Sequence, residues 1–199
     1  IAQVASPEQI LITLSSDHGS SPSYNSPNKE KERFNTMQAE VITNAYIGSL
    51  HGNGQWVLGY IDRAIYLNHN LDLQHEVATF VMQLRGVSHA VSAHAMRSSY
   101  FGSGYGKMIQ NGYYPRRSGD VIINLMPDWI EECGSKRSLS GSMYLYDRQV
   151  PLIIFGGGVK PAQSHDNIDL TAVAPTVAYI LGITPPSAAE GEKLNITKR

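Results

Sequence analysis

The sequence lacks several features that would indicate a particular class of protein. It has one cysteine, Cys133, so no disulfide can form within the chain. Cysteine content therefore does not indicate whether the protein resides in an oxidising or a reducing compartment. Its 16 basic and 17 acidic residues nearly cancel, which argues against a nucleic-acid binder with a basic face. No apolar run approaches the roughly 20 residues of a membrane span, and the start lacks the charged-then-apolar pattern of a signal segment. The length and composition suit one soluble globular unit, or one main core with an insertion.

Apolar and β-branched residues indicate where the strands lie. Short apolar runs and period-two alternation predict strands at about residues 10–15, 56–61, 64–68, 87–93, 120–125 and 152–155. The first of them is expected to be buried. The last, in VPLIIFGGG, is a continuous apolar run closed by glycines, which is typical of a strand buried on both faces of a parallel sheet.

Three helices are predicted from apolar residues spaced three and four apart. The first is MQAEVITNAYIGSL, residues 37–50. In LDLQHEVATFVMQLRG, Asp72 is suited to cap the start of the helix and Gly86 to end it. In NIDLTAVAPTVAYILGITPP, Pro175 lies inside the apolar stripe, so either a kink or two short helices are expected.

The order of these elements predicts an α/β protein with three segments. Strand, turn, strand, helix and strand follow one another from residue 55 to residue 93, which is the order of a small α+β layer. We therefore expect two core segments, 1–50 and 129–199, and an inserted α+β subdomain at 51–128.

The stretch ILITLSSDHGSSP places a carboxylate and an imidazole after a predicted strand. Ligands of open α/β sheets bind beyond the carboxyl ends of the strands, and both side chains of Asp17 and His18 are good zinc ligands. Neighbouring strand residues point to opposite faces, so the chain must leave the strand for both to reach one ion. Gly19 permits the backbone angles that this requires. The same residues also favour a plain surface turn, and both interpretations stay open.

Other residues offer weaker candidates. No two histidines stand in the H-x-x-x-H frame of a metal-binding helix, and only His165, just before a predicted helix, retains a weak metal role. No serine stands in G-x-S-x-G, so the nucleophile elbow of an α/β-hydrolase is absent.

Three stretches together resemble a known family. LITLSSDHGSSP resembles the strand and Asp-His-Gly metal motif of the alkaline phosphatase superfamily. NGYYPRRSGDVIINLMPDW resembles the KRSGD strand of its branch of PafA-like phosphatases and nucleotide pyrophosphatase/phosphodiesterases. SGSMYLYDRQVPLIIFGGGVKP and the following IDLTAVAPTVAYILGITPPSAAEGEKL resemble the closing strand and C-terminal tail of that branch.

This resemblance implies a fold, a cofactor and a substrate class. The fold would be part of an α/β/α sandwich, and the intact enzyme would use two metal ions, usually zinc, with a Thr or Ser nucleophile. Such ions polarise phosphoryl oxygens and activate the nucleophile that attacks a phosphate ester. By position, Asp17 and His18 would be two ligands of one ion, so this chain would hold at most one partial zinc site. The resemblance also implies a periplasmic or secreted parent protein.

Two departures from the family limit what carries over. The nucleophile, an Asp ligand near it, and the Asp and His that begin the shell of the second metal belong to the family's N-terminal half. Because the sequence begins at Ile1 without them, we expect a C-terminal fragment that is inactive alone. Its apolar surface would then be exposed where the missing half packs, which would allow homo-oligomers to form. Where the family has His-Gly before S-x-Y-x-Y-D, this sequence has Ser140-Gly141, and serine is a poor zinc ligand.

Three alternatives therefore stay open. The first is a pseudo-enzyme that binds phosphate-bearing ligands without turning them over, for which Ser140 is the argument. The second is a sulfatase or phosphodiesterase parent, because the superfamily shares its metal core across ester types. The third is a non-enzymatic binding domain that uses residues 55–93 as its interaction surface.

Overall fold

The structure is a computed structural model that describes residues 5–20, 32–68, 73–134, 136–138 and 140–197. It divides into two compact units, a terminal unit made of Ile1–Ser16 with Pro151–Arg199 and a central unit, Asp17–Val150. The mixture of helices and small sheets confirms the predicted α/β class. The predicted segment boundaries at residues 50 and 128 stay a prediction.

The strands are β1 (Leu11–Leu14), β2 (Arg33–Asn35), β3 (Val57–Ile61), β4 (Ala64–Leu67), β5 (Val87–Ser92), β6 (Val121–Leu125), β7 (Ile130–Cys133), β8 (Lys136–Ser138) and β9 (Ile153–Gly156). The helices are α1 (Thr36–His51), α2 (Gln74–Val81), α3 (Ala93–Ser98), α4 (Gly104–Gly112), α5 (Leu145–Arg148) and α6 (Val173–Leu181), with 3₁₀ turns at Pro7–Gln9 and Leu170–Ala172. In the described part of the chain, no helix has the length and apolar character to cross a membrane.

The centre of the central unit is an antiparallel sheet with strand order β3–β4–β6–β5. Helices α1 and α2 cover one face of this sheet and share its apolar core. Ile65, Val121 and Leu125 of the sheet and Val77 of α2 are fully buried, and each such side chain contributes roughly 1.5–3 kcal/mol to folding. A second sheet, in which β7 pairs parallel with β2 and antiparallel with β8, completes the unit.

The turn between β3 and β4 has an unusual sequence for its conformation. Asp62 and Arg63 both have positive φ, 48° and 61°. This is the pattern of a type I′ hairpin turn, for which Asn-Gly is the common choice. The Arg63 side chain is buried instead of extending into solvent, so its contacts offset the strain of a left-handed, non-glycine residue.

The terminal unit contains a two-stranded antiparallel sheet of β1 and β9. The register pairs Ile12 with Phe155 and Leu14 with Ile153, so these four side chains share one face. They are 50%, 66%, 61% and 53% exposed, respectively. The predicted burial of these two strands, and the predicted parallel pairing of the second, are therefore wrong. The apolar run correctly indicated a strand, but no described residue of this unit covers that face.

The other predicted elements agree with the structure more closely. Each predicted strand begins and ends within one residue of an observed one. Helix α2 ends at Val81, five residues before the predicted stop at Gly86, and the predicted cap, Asp72, lies outside the described residues. Pro175 lies in the first turn of α6, directly after the 3₁₀ turn. A first-turn proline removes no helical hydrogen bond, so a three-residue 3₁₀ turn is followed by one α-helix that includes Pro175, and not by two helices divided at the proline.

Candidate metal centre

The Asp17–Gly19 segment has irregular backbone and is fixed to α5. Gly19 donates its backbone N–H to the carbonyl oxygen of Asp147 at 2.8 Å. A Cβ atom on Gly19 would lie 2.1 Å from the carbonyl oxygen of Tyr146. The φ of Gly19 is not positive, so the expected reason for this glycine is wrong. The position requires glycine because two backbone segments approach closely, and not because of its backbone angles.

The imidazole of His18 is held by the residue that follows it. Its Nδ1 lies 2.6 Å from the carbonyl oxygen of Gly19. A carbonyl oxygen only accepts hydrogen bonds, so Nδ1 carries the proton of the neutral ring and the lone pair lies on Nε2. Metal-bound histidines are commonly oriented in this way by a backbone carbonyl.

The Asp17 carboxylate lies beside this Nε2. Oδ1 of Asp17 accepts the backbone N–H of His18 at 3.0 Å and lies 3.8 Å from its Nε2. Zinc ligands stand about 2.0–2.2 Å from the ion, so two atoms on one ion are at most roughly 4.2 Å apart. The side chains of Asp17 and His18 are 87% and 53% exposed. The pair is thus close enough to share one ion, and solvent reaches it.

The pair alone is an incomplete metal site. Within the described ranges, no three His, Cys, Asp or Glu side chains are grouped so that they could hold an ion. Two other described histidines contact different partners: His51 lies 3.8 Å from Glu76, and His89 contacts the Tyr105 ring. His165 is exposed in the terminal unit. Two protein ligands fit the zinc donor set but fall short of the three or four that a zinc site normally has.

Ser140 begins a loop, residues 140–143, that buried side chains hold in place. Arg63 donates from Nη2 to the carbonyl oxygen of Ser140 at 3.2 Å. Oδ1 of Asn124, a fully buried residue of β6, accepts the N–H of Met143 at 3.0 Å. The backbone of this loop is therefore fixed from the β3–β4 turn and from the central sheet.

Asp147 completes the support of this loop. Its carboxylate is buried, and Oδ2 accepts the backbone N–H of Ser142 at 2.7 Å. Oδ1 is also buried and has no hydrogen-bond partner in the part of the chain that the structure describes. Because the backbone carbonyl of the same residue accepts the N–H of Gly19, Asp147 contacts both the Asp17–Gly19 segment and the loop that begins at Ser140.

A buried charged cluster lies behind Arg63. Its Nε is 3.8 Å from Oε1 of Glu131, and the Tyr60 hydroxyl donates to the same carboxylate oxygen. Burial raises the pKa of Glu131 and also that of Tyr60, so Tyr60 remains a neutral donor. Nε and Nη1 of Arg63 are buried without hydrogen-bond partners among the described residues.

Known proteins match the chain over most of its length. No protein-family model matches it. Alkaline phosphatase PafA of Elizabethkingia meningoseptica is 26% identical over 196 residues, which are 92% of this chain and 36% of that protein. Alkaline phosphatase PhoV of Synechococcus elongatus is 29% identical over 120 residues, 60% of this chain and 22% of PhoV. A protein of Myroides odoratus named calcium-transporting ATPase is 28% identical over 193 residues, 90% of this chain and 35% of that protein.

The comparison of folds also matches the chain to PafA. The crystal structure of wild-type PafA superimposes with a TM-score of 0.79 at 24% identity, over 94% of this chain and 38% of PafA. The sequence similarity to two alkaline phosphatases and the shared fold support membership of the alkaline phosphatase superfamily. The PafA and Myroides odoratus matches include about nine-tenths of this chain. The chain spans only about a third of the length of these two relatives. The family resemblance carried by the three motifs is thereby confirmed.

The sequence motifs identified Asp17 and His18 as candidate ligands. They did not identify the residues that support the Asp17–Gly19 segment and the 140–143 loop. Asp147 is the final residue of the S-x-Y-x-Y-D motif, and an acidic residue at that fixed place was the available signal. Arg63 and Asn124 carried no such signal, because their contacts with the 140–143 loop join positions that are distant in sequence.

Proposed function

We propose that the chain is the metal-binding part of a phosphate-ester hydrolase of the alkaline phosphatase type, in which Asp17 and His18 bind one zinc ion. The observation that carries this proposal is the pairing of His18 Nε2 with the Asp17 carboxylate at 3.8 Å. The hydrogen bond between the His18 Nδ1 and the Gly19 carbonyl supports it. The superfamily motif at the same residues supports it independently.

The proposed role of this chain's residues is to bind the metal ion and to hold its ligands in a fixed orientation. Asp17 supplies negative charge and an oxygen ligand, and His18 supplies a neutral nitrogen ligand whose ring is already oriented. A zinc ion bound there would act as a Lewis acid towards a phosphoryl oxygen. Because the ligand pair is exposed, a small phosphate ester has open access to it.

The names of the relatives support this substrate class. Alkaline phosphatase and ATPase are both names for enzymes that remove a phosphoryl group by hydrolysis. A phosphate-bearing small molecule is therefore the proposed substrate of the full-length protein. We also propose, from the family resemblance, that the full-length protein is periplasmic or secreted.

The chain alone is proposed to be inactive. Its described residues bring two candidate ligands together where a catalytic zinc site normally takes three, and the resemblance assigns the nucleophile to the family's N-terminal half. The apolar face formed by Ile12, Leu14, Ile153 and Phe155 supports the view that further chain packs here. We propose that this is the remaining part of the full-length enzyme, which would be about three times as long as the chain, judging from its relatives.

A calorimetric zinc titration of the 199-residue chain tests the site directly. We expect weak binding that is lost in both Asp17→Ala and His18→Ala. The chain offers a matched control in His165 and Asp166, an exposed neighbouring pair of the same residue types. His165→Ala and Asp166→Ala should leave binding unchanged. Equal zinc binding by all four variants, or none by the wild type, would rule out this site in the chain.

A pseudo-enzyme is the second candidate function. Ser140 carries it, because a serine stands at the family's His position in a loop whose backbone is fixed by Arg63. In the full-length protein, this candidate predicts no phosphatase activity in the wild type and a gain of activity in Ser140→His. Good wild-type activity would remove it.

A further inference from the structure

Two separate segments meet at Asp147. Its carbonyl oxygen accepts the N–H of Gly19 at 2.8 Å, and its carboxylate accepts the N–H of Ser142 at 2.7 Å. We propose that Asp147 is a positioning residue that locks the Asp17–Gly19 segment to the loop of Ser140. This inference rests on the proposed metal site, because it concerns how the ligands of that site are held.

The role follows from the short chain of contacts between Asp147 and the His18 ring. The Gly19 N–H is fixed by Asp147, and the carbonyl of the same glycine holds Nδ1 of His18. A shift of the Asp147 backbone would therefore move Gly19 and release the imidazole. Gly19 and the Tyr146 carbonyl are packed so closely that neither backbone segment can move towards the other.

The carboxylate of Asp147 keeps its own backbone in place. It is 4% exposed and is anchored by Ser142, which is itself 8% exposed. Without this acceptor, a buried N–H would lose its partner, and such a loss is not compensated by water. The chain from Ser142 to Asp147 would then rearrange, and its hydrogen bond to Gly19 would go with it.

Among the described residues, Oδ1 of Asp147 has no hydrogen-bond partner, so Oδ2 alone holds the Ser142 N–H. A buried carboxylate oxygen without a hydrogen bond costs free energy, and a neutral amide could accept the same N–H. We therefore expect Asp147→Asn to keep the segment in place, since its amide oxygen replaces Oδ2. Asp147→Ala removes the acceptor and should release the segment.

The chain offers a matched control in Asp120. This residue is 8% exposed and accepts the backbone N–H of Leu67 at 2.8 Å and Nε2 of Gln74 at 2.7 Å, on the central sheet. Asp120→Ala therefore removes a comparable buried carboxylate from the same unit. It should lower the unfolding temperature but leave His18 unaffected.

Two measurements on the full 199-residue chain test the role. Long-range ¹H–¹⁵N spectra of the zinc-free protein, recorded where His18 is neutral, report which ring nitrogen carries the proton. Wild type, Asp147→Asn and Asp120→Ala should show the proton on Nδ1, and Asp147→Ala should show a mixture of tautomers. Zinc titration should give an affinity about 10–100-fold lower for Asp147→Ala, the range typical when a supporting partner of a ligand is lost, and a wild-type affinity for the other two variants.

The outcomes separate this inference from the proposed function. Unchanged tautomer and zinc affinity in a folded Asp147→Ala would overturn the positioning role while leaving the metal site intact. A wild type that binds no zinc, combined with a changed tautomer in Asp147→Ala, would overturn the metal site and support the role of Asp147 in holding His18. If Asp147→Ala does not fold, Asp147→Ser serves instead, because its hydroxyl fits the space but is too short to reach the Ser142 N–H.

Discussion

The Nδ1 atom of His18 lies 2.6 Å from the carbonyl oxygen of Gly19, the next residue in the chain. The other ring nitrogen, Nε2, lies 3.8 Å from Oδ1 of the Asp17 carboxylate. The hydrogen bond therefore fixes the orientation of the ring in the proposed metal site. It also makes the geometry of His18 dependent on the position of Gly19.

Gly19→Ala should disrupt the metal pair and destabilise the chain. The new Cβ would lie 2.1 Å from the Tyr146 carbonyl oxygen, a distance that forces one backbone segment to move. We expect a loss of about 1–3 kcal/mol in the free energy of unfolding, as for other overpacked sites, together with loss of zinc binding. Urea unfolding and zinc titration measure the two effects.

Gly48→Ala is the matched control. Gly48 lies inside α1, and a Cβ there meets nothing within 4 Å. This variant should gain roughly 0.5–1 kcal/mol, because alanine is the better helix former, and should bind zinc as the wild type does. A stable, zinc-binding Gly19→Ala would contradict the close-approach argument.

The sequence predicted what local patterns determine. Strand positions such as 57–61 and 121–125 follow from side-chain alternation, and the Asp17-His18 pair follows from its motif. Burial of β1 and β9 was predicted wrongly, because exposure depends on what packs against a strand and not on the strand's own residues. The support from Arg63 and Asp147 was missed, since it arises only when the chain brings distant segments together.

Removing Arg63 should be costly, and a paired substitution should be much less so. Arg63→Met leaves the buried Glu131 carboxylate without its 3.8 Å ion partner and should destabilise the chain by about 3–5 kcal/mol. Arg63→Met with Glu131→Gln removes both charges while Tyr60 keeps a hydrogen-bond acceptor. We expect the double variant to be more stable than Arg63→Met alone in urea unfolding. Glu131→Gln alone completes the cycle, and a double variant whose loss of stability equals the sum of the two single losses would exclude an energetic coupling between these side chains.

Stability should fall as the pH rises through the titration range of Glu131. Burial raises the pKa of Glu131 above its ordinary value of 4.5. As pH increases from 4.5 to the folded-state pKa, the unfolded chain loses this proton first, so the free energy of unfolding decreases. Glu131→Gln should lack this contribution, and the stability difference between wild type and variant should change only over that window.

Tyr60→Phe tests how the hydrogen bond from Tyr60 affects the pKa of Glu131. The hydroxyl of Tyr60 donates to Glu131 and lowers the pKa of that carboxyl. Its removal should raise the pKa of Glu131 further and extend the window of falling stability to higher pH. A ¹³C titration of the Glu131 carboxyl follows the shift directly. An unchanged or lower pKa in Tyr60→Phe would show that the hydrogen bond does not favour the ionised carboxylate.

The apolar face of the terminal unit should make the isolated chain self-associate. Phe155 and Ile12 are cross-strand partners on this face, 66% and 50% exposed, and burying such a patch between molecules is favourable. Phe155→Lys should reduce association in sedimentation experiments and change the stability by less than about 0.5 kcal/mol, as is usual for an exposed side chain. Val41→Lys, at a 68% exposed position on α1, is the control and should leave association unchanged. If both variants reduce association equally, general charge repulsion and not this face controls it.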